Sequence, residues 1–247
     1  MTCSQPLCDA RAEGVLARLH RAADSQRFGV AVRFMSQAPS FLLGRGVRFL
    51  PGALGIFDEK FIAIGPQQGR LLYLLARSIG ARHIVEFGTS FGVSTIYLAC
   101  AVRDNGGGRV VGTELLPSKA ARARSHLEEA GVSEWVDVRV GDARQTLRDL
   151  DAPIDLALLD GFPHVALDVL SVIEPRLRPG AVVVADDVLL FKKDLAPLIE
   201  HLSDPKRGYR ATTFPLEDGM LVAVRSSTNL PCRSGSMPAA GQGLEPS

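Results

Sequence analysis

The stretch IVEFGTSFGVS, residues 84–94, decides the fold of this chain. It begins as a short apolar strand, reaches the acid Glu86, turns through Gly88 and Gly92, and opens a helix at Val93. A buried strand that runs through a glycine turn into a helix places backbone N–H groups and a positive helix end at the edge of a sheet. The stretch therefore predicts a small-molecule site at that edge.

Strands and helices alternate around this stretch. The predicted strands are residues 83–87, 109–114, 136–140, 154–159 and 181–185, and the predicted helices are residues 66–79, 93–102, 118–130 (capped by Ser118), 144–150, 165–177 and 194–202. The central strands are continuous apolar runs, which is typical of parallel strands covered on both faces. Residues 209–215 and 220–225 predict an antiparallel hairpin. We therefore expect an α/β fold with a mostly parallel sheet, helices on both faces and a C-terminal hairpin.

Residues 1–57 are predicted to form a helical cap, a lid or a dimer segment. Two helices are expected before residue 38, capped by Asp9 and Asp24. Seven arginines stand against three acids in this region. The excess positive charge is either a solvated basic face or a surface that touches an acidic ligand or a partner subunit. Residues 40–57 are too apolar for a free linker and predict a lid or a dimer contact.

Composition excludes several classes of protein. The net charge of +1 gives no argument for a nucleic-acid or membrane partner, and no apolar run is long enough to span a bilayer. The early charges Asp9, Arg11 and Glu13 argue against a secretory signal. The four cysteines form no CxxC pair, which fits a reduced, cytoplasmic compartment, and Cys100 is expected in the core. Residues 226–247 predict a disordered tail.

Acidic residues gather at the ends of the predicted strands. Six of them close or follow a strand: Glu86, Glu114, Asp142, Asp160, Asp186 and Asp187. In an open parallel sheet the ligand lies outside the carboxyl ends of the strands. Like charges at one edge repel each other unless a cationic or hydroxyl-rich group lies between them.

The first acids favour a nucleoside without phosphates. Glu114 lies 22 residues after Gly92, a spacing that suits a carboxylate accepting hydrogen bonds from ribose hydroxyls, although a helix-capping role is the alternative. The dinucleotide pattern G-x-G-x-x-G is absent, and Glu86 would repel a pyrophosphate. A cationic nucleoside fits better, which indicates S-adenosylmethionine. Asp142 and Ala143 then lie where the adenine would bind.

The remaining acids suggest a cation. Asp160, Asp186 and Asp187 end two strands that we expect to be neighbours. Hard oxygen ligands at converging strand ends suit Mg²⁺, with water and substrate oxygens completing the octahedron. The alternative is that these aspartates are ordinary turn and capping residues.

Seven short motifs, taken in this order and spacing, resemble one family. They are IAIGPQQGRLL (62–72), IVEFGTSFGVSTIYLA (84–99), VVGTELL (110–116), GDA (141–143), IDLALLDG (154–161), LRPGAVVVADDV (177–188) and LEDGML (216–221). They are similar to class I S-adenosylmethionine-dependent methyltransferases, specifically the cation-dependent O-methyltransferases related to catechol and caffeoyl-CoA O-methyltransferases. The resemblance covers roughly residues 60–225 and implies a Rossmann-like methyltransferase domain over residues 58–225.

The resemblance also implies site residues. Those implied to contact S-adenosylmethionine are Ile62, Ile64, Glu86, Gly88, Thr89, Ser90, Ser94, Glu114, Leu115, Asp142, Ala143 and Asp160. Asp160, Asp186 and Asp187 are implied to bind the divalent cation, which would hold substrate hydroxyls and align the reacting oxygen with the methyl group.

Two positions depart from the family pattern. Asp187 stands where the family usually has asparagine, and Pro163 stands where it often has a lysine that serves as general base. His164 and Lys192 are therefore the candidate bases, with Lys193 as a further one, since an imidazole can accept a proton near neutral pH. A phenol activated by a metal could also react without a dedicated base.

The sequence thus predicts a cation-dependent O-methyltransferase that acts on a hydroxyl of a small phenolic or vicinal-diol substrate. A homodimer is expected. The first alternative is a methyltransferase of the same fold that uses no metal. A cofactor-binding homologue that has lost catalysis is a second alternative, and Pro163 is the residue that suggests it. A nucleotide-binding oxidoreductase is disfavoured by the missing glycine pattern.

Overall fold

The computed structural model describes Leu7, residues 9–35, residues 64–150 and residues 153–226, with side chains in the first helix as far as Ser25. Its strands are β1 (His83–Phe87), β2 (Arg109–Glu114), β3 (Val136–Val140), β4 (Ile154–Leu159), β5 (Leu177–Ala185), β6 (Tyr209–Phe214) and β7 (Met220–Arg225). These strands form a seven-stranded sheet in the order β3-β2-β1-β4-β5-β7-β6. β1 to β5 run parallel, and β7 is antiparallel to both β5 and β6. The predicted α/β architecture with its C-terminal hairpin is confirmed.

Helices cover both faces of the sheet. They are α1 (Ala10–Met35), α2 (Pro66–Ser78), α3 (Val93–Asp104), α4 (Pro117–Ala130), α5 (Ala143–Thr146), α6 (Ala166–Ile173) and α7 (Ala196–Ser203). Successive residues of a strand point to opposite faces, so Ile84 lies in one hydrophobic cluster and Val85 in the other. α1 to α4 contribute to the first cluster and α5 to α7 to the second.

The central strands are apolar because both of their faces are buried. Every residue of β4 is buried, as is every residue of β1 after His83. β6 lies at the sheet edge and buries only Tyr209. Cys100 is fully buried in α3, as predicted for a core residue. The middle of the sheet therefore forms a rigid base for the carboxyl ends of its strands.

One continuous helix, α1, replaces the two helices predicted near the N-terminus. Asp9 caps it as predicted, because its Oδ1 accepts hydrogen bonds from the backbone N–H groups of Arg11 at 2.9 Å and Ala12 at 3.1 Å. The prediction for Asp24 as a cap is wrong, since Asp24 lies within the helix with an exposed side chain. An aspartate on the solvent side of a helix costs little, so its capping preference does not end the helix.

Several predicted boundaries also shift. α4 begins at Pro117 after the N-cap residue Leu116, so the prediction that Ser118 caps this helix is wrong. Proline is well suited to the first helical position because its φ is already helical. β5 begins at Leu177 rather than at residue 181, and α6 correspondingly ends at Ile173. α5 is shorter than predicted as well.

Some predictions fall outside the described residues. These are the lid or dimer segment at residues 40–57, the tail beyond Ser226, and the positions of Ile62, Cys3, Cys8 and Cys232. In the part of the chain that the structure describes, no helix combines the length and apolar character needed to cross a bilayer.

Candidate active site

The predicted acids meet at one edge of the sheet, where the parallel strands end together. Glu86 of β1 is in register with Gly112 of β2 and Leu158 of β4. Burial is the main cause that raises the pKa of Glu86, and the charge of Glu114 adds to it. Burial is also the main cause that raises the pKa of Asp160, and the charge of Glu86 adds to it after those of Asp186 and Asp187. These carboxylates therefore form a continuous row of mutually repelling groups.

A tight glycine turn joins β1 to α3 above this row. Gly88 has φ 100°, and a Cβ there would lie 2.3 Å from the backbone oxygen of Asp160. Gly92, with φ 84°, is the N-cap residue of α3. Ser90 adopts φ 47° although it is not glycine, which costs conformational energy. The turn thus brings the predicted cofactor loop directly against the first predicted metal residue.

Glu86 is fully buried beneath the turn. Its Oε2 accepts hydrogen bonds from Thr89 Oγ1 at 2.8 Å and Thr95 Oγ1 at 2.5 Å. Its Oε1 has no hydrogen-bond partner among the described residues. Burial raises the pKa of Glu86, while the hydroxyls of Ser94, Thr95 and Thr89 act in the opposite direction. A buried carboxylate with one unpartnered oxygen suits a cationic group of a ligand, such as the ammonium of a methionine moiety.

Glu114 closes β2 with both carboxylate oxygens held by the backbone. Oε2 accepts a hydrogen bond from Ser90 N at 2.9 Å, and Oε1 accepts one from Leu116 N at 2.9 Å. These donors fix the carboxylate while leaving each oxygen able to accept another hydrogen bond, which fits the two hydroxyls of a ribose. Leu115 is 42% exposed beside it and offers an apolar surface to a base.

Asp142 is engaged more fully than the sequence suggested. It caps α5, because its Oδ1 accepts a hydrogen bond from Arg144 N at 2.9 Å. The Arg144 guanidinium also donates from Nη2 to Oδ2 at 2.7 Å, and the hydrogen bond from Arg144 is the main cause that lowers the pKa of Asp142. An adenine amino group would have to share this carboxylate with Arg144. Of the other predicted cofactor residues, Ile64, Thr89, Ser94 and Ala143 are buried, whereas Ser90 and Asp160 are half-buried.

Asp160, Asp186 and Asp187 follow β4 and β5. Asp160 N donates to Phe87 O at 2.9 Å, and Asp186 N donates to Leu159 O at 3.2 Å. Burial, followed by the charges of Asp186 and Asp187, raises the pKa of Asp160. Burial and the charge of Asp187 likewise raise the pKa of Asp186. The structure therefore brings the three predicted metal residues into one electrostatic cluster.

The chemistry of this cluster fits a divalent cation. Three carboxylates supply hard oxygen donors, and a cation would relieve the repulsion that, after burial, raises the pKa values of Asp160 and Asp186. As the side chains stand, no group of three or more His, Cys, Asp or Glu residues within the described ranges is arranged to hold a metal ion. Asp187 adopts φ 57°, which is unusual for a non-glycine residue. Binding would therefore require side-chain adjustment, with water or substrate oxygens as further ligands.

The candidate bases lie on the loops that follow these strands. His164 is exposed in a one-turn 3₁₀ helix, Pro163–Val165, and its ring centroid lies 6.0 Å from that of Phe162. Lys192 is exposed in the turns after β5, as is Lys193. The catalytic roles of His164 and Lys192 stay predictions.

Gln68 is the residue of this site that sequence reasoning missed. It is 2% exposed, and its Nε2 donates a hydrogen bond to Asp186 Oδ1 at 2.7 Å. A signal for it was present, because Gln68 stands four and eight residues before Leu72 and Ala76 on the buried face of α2. A polar residue in line with the apolar face of a helix needs a buried partner.

Comparisons with known proteins agree with this geometry. A family model described as a methyltransferase domain matches residues 85–188. A putative O-methyltransferase of Mycolicibacterium vanbaalenii is 31% identical over 176 residues, which cover 66% of this chain and 77% of that relative. The chain belongs to the class I S-adenosylmethionine-dependent O-methyltransferases, in the catechol and caffeoyl-CoA O-methyltransferase-like family. The family predicted from the sequence motifs is confirmed.

Further members of this O-methyltransferase family show its range. A catechol O-methyltransferase of Mycobacterium tuberculosis is 41% identical over 129 residues, or 52% of this chain, but the chain spans only 58% of that relative's length. A solved O-methyltransferase of Streptomyces achromogenes, involved in tomaymycin synthesis and in complex with S-adenosylmethionine, is 33% identical with a TM-score of 0.63. That comparison covers 70% of this chain and 86% of the solved one.

Proposed function

We propose that this protein transfers a methyl group from S-adenosylmethionine to a hydroxyl of a small phenolic or vicinal-diol substrate, assisted by a divalent cation. The observation that carries the proposal is the geometry of the acids at this edge of the sheet. Glu86 is fully buried with Oε1 unpartnered among the described residues, the backbone holds both oxygens of Glu114, and Asp160 lies against the Gly88 turn. A cationic nucleoside and a divalent cation would neutralise the two parts of this row. The relative that is a catechol O-methyltransferase supports the substrate class, and the relative in complex with S-adenosylmethionine supports the methyl donor.

The methyl donor would be held by residues at the ends of β1, β2 and β3. Glu86 Oε1 would accept a hydrogen bond from the ammonium of the methionine part, because it is buried and has no partner among the described residues. Glu114 would accept hydrogen bonds from both ribose hydroxyls, since the backbone already fixes its orientation. Leu115 and Ala143 would pack against the adenine, with Asp142 at its amino group.

The acceptor side is assigned to Asp160, Asp186 and Asp187, which would hold the cation. When bound, such a cation lowers the pKa of a phenolic hydroxyl and fixes the position of its oxygen. The chain contributes alignment, because the Gly88 turn lies against the backbone of Asp160 and sets the donor side beside the acceptor side. In-line methyl transfer depends on this alignment of the two reacting atoms. A ring nitrogen of His164 is the candidate to accept the phenolic proton, with Lys192 Nζ as the alternative.

The test is methyl transfer to a panel of catechols and monophenols, followed by mass spectrometry. We expect catechols to gain one methyl group, the activity to stop in EDTA, and Mg²⁺ to restore it. Monophenols should react more slowly because they offer the cation one oxygen instead of two. An Asp160→Asn variant should need more Mg²⁺ for the same rate. Catechol methylation that ignores the chelator would contradict the role of the cation.

A cation-independent methyltransferase of the same fold is the second candidate. It is favoured by the absence, within the described residues, of three carboxylate, imidazole or thiolate groups already arranged around a metal position. In that case the acids would serve the cofactor and the sheet edge. Equal rates in EDTA and Mg²⁺ would support this second candidate.

A further inference from the structure

We propose that Gln68 is the positioning residue for Asp186: it fixes one oxygen of this carboxylate and leaves the other oxygen to bind the divalent cation. The inference rests on the cation assistance proposed above. Gln68 lies 118 residues from Asp186 in sequence, and its hydrogen bond to Asp186 Oδ1, at 2.7 Å, is buried. The contact between Gln68 and Asp186 is therefore a tertiary one, made between α2 and the residue that follows β5.

The orientation of the Gln68 amide follows from its second partner. Gly65 N donates to Gln68 Oε1 at 2.7 Å, so the amide oxygen must face Gly65 because a backbone N–H can only donate. The amide nitrogen then faces Asp186, where it can only donate. Both ends of the side chain are thus fixed, and Asp186 Oδ1 is fixed with them.

The hydrogen-bond donor to Asp186 Oδ1 has to be an uncharged group if Asp186 is to bind a cation. Asp186 is only 5% exposed, and the carboxylate of Asp187 follows it directly in sequence. A lysine or arginine here would neutralise Asp186 and compete with a cation, whereas an apolar residue would leave a buried carboxylate oxygen without this donor. The Gln68 amide orients Asp186 without removing its charge, which leaves the second carboxylate oxygen to serve as a ligand.

Gly65, whose backbone N–H donates to Gln68, is itself contacted by the turn between β6 and β7. Glu217, in the turn between β6 and β7, places Oε1 1.6 Å from the position that a Cβ on Gly65 would occupy. A side chain at position 65 would therefore have to displace the Glu217 carboxylate, which packs against the Gly65 backbone at the start of α2. Glu217 adopts φ 47° to reach this place. Gly65, Gln68 and Asp186 thus form a corner that is confined by both α2 and the hairpin.

The experiment measures Mg²⁺ binding by calorimetry with MgCl₂ on the full chain, with S-adenosylhomocysteine binding in EDTA as a separate readout. Gln68→Leu removes both hydrogen bonds at similar size, and Gln68→Met provides a more adaptable apolar side chain if the leucine variant fails to fold. Gln67→Leu is the matched control, since Gln67 is the exposed neighbour. We expect roughly tenfold weaker Mg²⁺ binding in the Gln68 variants, as for loss of a hydrogen bond to a charged group, and S-adenosylhomocysteine binding within about twofold of wild type.

Each other outcome overturns the inference in a recognisable way. Mg²⁺ binding as tight as in Gln67→Leu would show that Gln68 does not position Asp186. Tighter Mg²⁺ binding would show that the amide competes with the cation. Equal loss of Mg²⁺ and S-adenosylhomocysteine binding would show a purely structural role. No Mg²⁺ binding by the wild-type protein would remove the proposed cation assistance itself, and this result is distinct because it precedes any substitution.

Discussion

At the scale of single residues, the carboxylate of Glu86 destabilises the folded protein without ligand more than a neutral amide at the same position would. Burial raises its pKa, and Oε1 lacks a partner within the described structure. An ionised carboxylate in such a place disfavours folding at pH values above its ordinary pKa. A group that opposes folding and persists at a sheet edge points to a ligand that compensates for it.

Glu86→Gln should separate stability from binding. Because the pKa of Glu86 is raised in the folded state, stability is lost as pH rises above the ordinary carboxyl pKa, and the neutral amide avoids this loss. We expect the Tm of the free variant at neutral pH to equal or exceed that of wild type. Its S-adenosylhomocysteine affinity should fall by about tenfold or more, since the amide cannot attract an ammonium group. A lower Tm together with unchanged affinity would contradict this assignment of Glu86.

Backbone strain marks the same edge of the sheet. Among the described residues, the non-glycine positions with positive φ are Ser90, Asp187 and Glu217. Ser90 N donates to Glu114, Asp187 belongs to the carboxylate cluster, and Glu217 packs on Gly65. Such conformations cost energy and persist where the surroundings impose them, commonly at functional sites. The motif LEDGML (216–221) contains Glu217 but does not indicate its contact with Gly65, because this contact depends on the hairpin meeting α2.

At the scale of elements, Asp155 joins three strands near their amino ends. Its Oδ2 accepts hydrogen bonds from Arg82 N and His83 N, both at 2.8 Å. Its Oδ1 accepts one from Arg178 Nε at 2.5 Å. β4 is thereby tied to β1 and β5 far from the carboxyl ends that carry the predicted site. Asp155 therefore stabilises the sheet, whereas the acids at the carboxyl ends of the strands form the predicted site.

Acid should weaken the fold through Asp155. Burial raises its pKa, but the hydrogen bonds from Arg178, His83 and Arg82 outweigh burial and lower it below the ordinary value. Its contribution to stability is therefore present above the unfolded pKa of about 3.9 and is lost as pH falls through the lower folded pKa. Asp155→Asn should cost about 2–4 kcal/mol in urea unfolding at neutral pH.

The pH dependence provides the control for this prediction. The difference between wild type and Asp155→Asn should narrow as pH falls below about 4, because Asp155 of the wild type then binds a proton in the unfolded chain before it does so in the folded one. S-adenosylhomocysteine binding by the folded variant should be retained, because Asp155 lies away from the cofactor residues. If wild type and Asp155→Asn differ in unfolding free energy by the same amount at neutral pH and below about pH 4, the charge of Asp155 is not the cause of the difference.

The elements that sequence predicted well are those with buried faces on two sides. β1 and β4 are apolar runs because helices cover both faces, and this pattern survives in the sequence without any partner being known. The errors fell at helix ends. Asp24 and Ser118 have the right side chains for caps, but tertiary packing of α1 and the proline at the start of α4 determined the actual boundaries.

At the scale of the whole molecule, α1 is attached to the methyltransferase domain by part of its basic face. Arg11 donates from Nε to Glu129 O at 2.6 Å and from Nη2 to Glu128 O at 2.8 Å. Arg18 pairs with Glu129 as well. These cations lie at the C-terminal end of α4, where positive charge is favourable. The suggestion that residues 1–57 close an active site or form a dimer contact stays a prediction.

The site residues that could be predicted from sequence are those whose positions follow from the strand order alone. Parallel strands end at one edge, so the acids at the carboxyl ends of β1, β2, β4 and β5 could be placed together from sequence. Gln68 could not be assigned in this way, because its contact with Asp186 depends on how α2 packs across the sheet. The engagement of Asp142 by Arg144 was also missed, although the opposite charges stand two residues apart.

The central claim is that the acids of this edge hold S-adenosylmethionine, and Glu114 tests it most directly. Calorimetry with S-adenosylhomocysteine should show binding to the wild-type chain and to Glu134→Gln, a control at an exposed acid. Glu114→Gln should bind about ten- to a hundredfold more weakly, because the amide cannot accept hydrogen bonds from both ribose hydroxyls while meeting two backbone donors. Absence of binding to the wild-type chain, or equal affinity in Glu114→Gln and Glu134→Gln, would contradict the account.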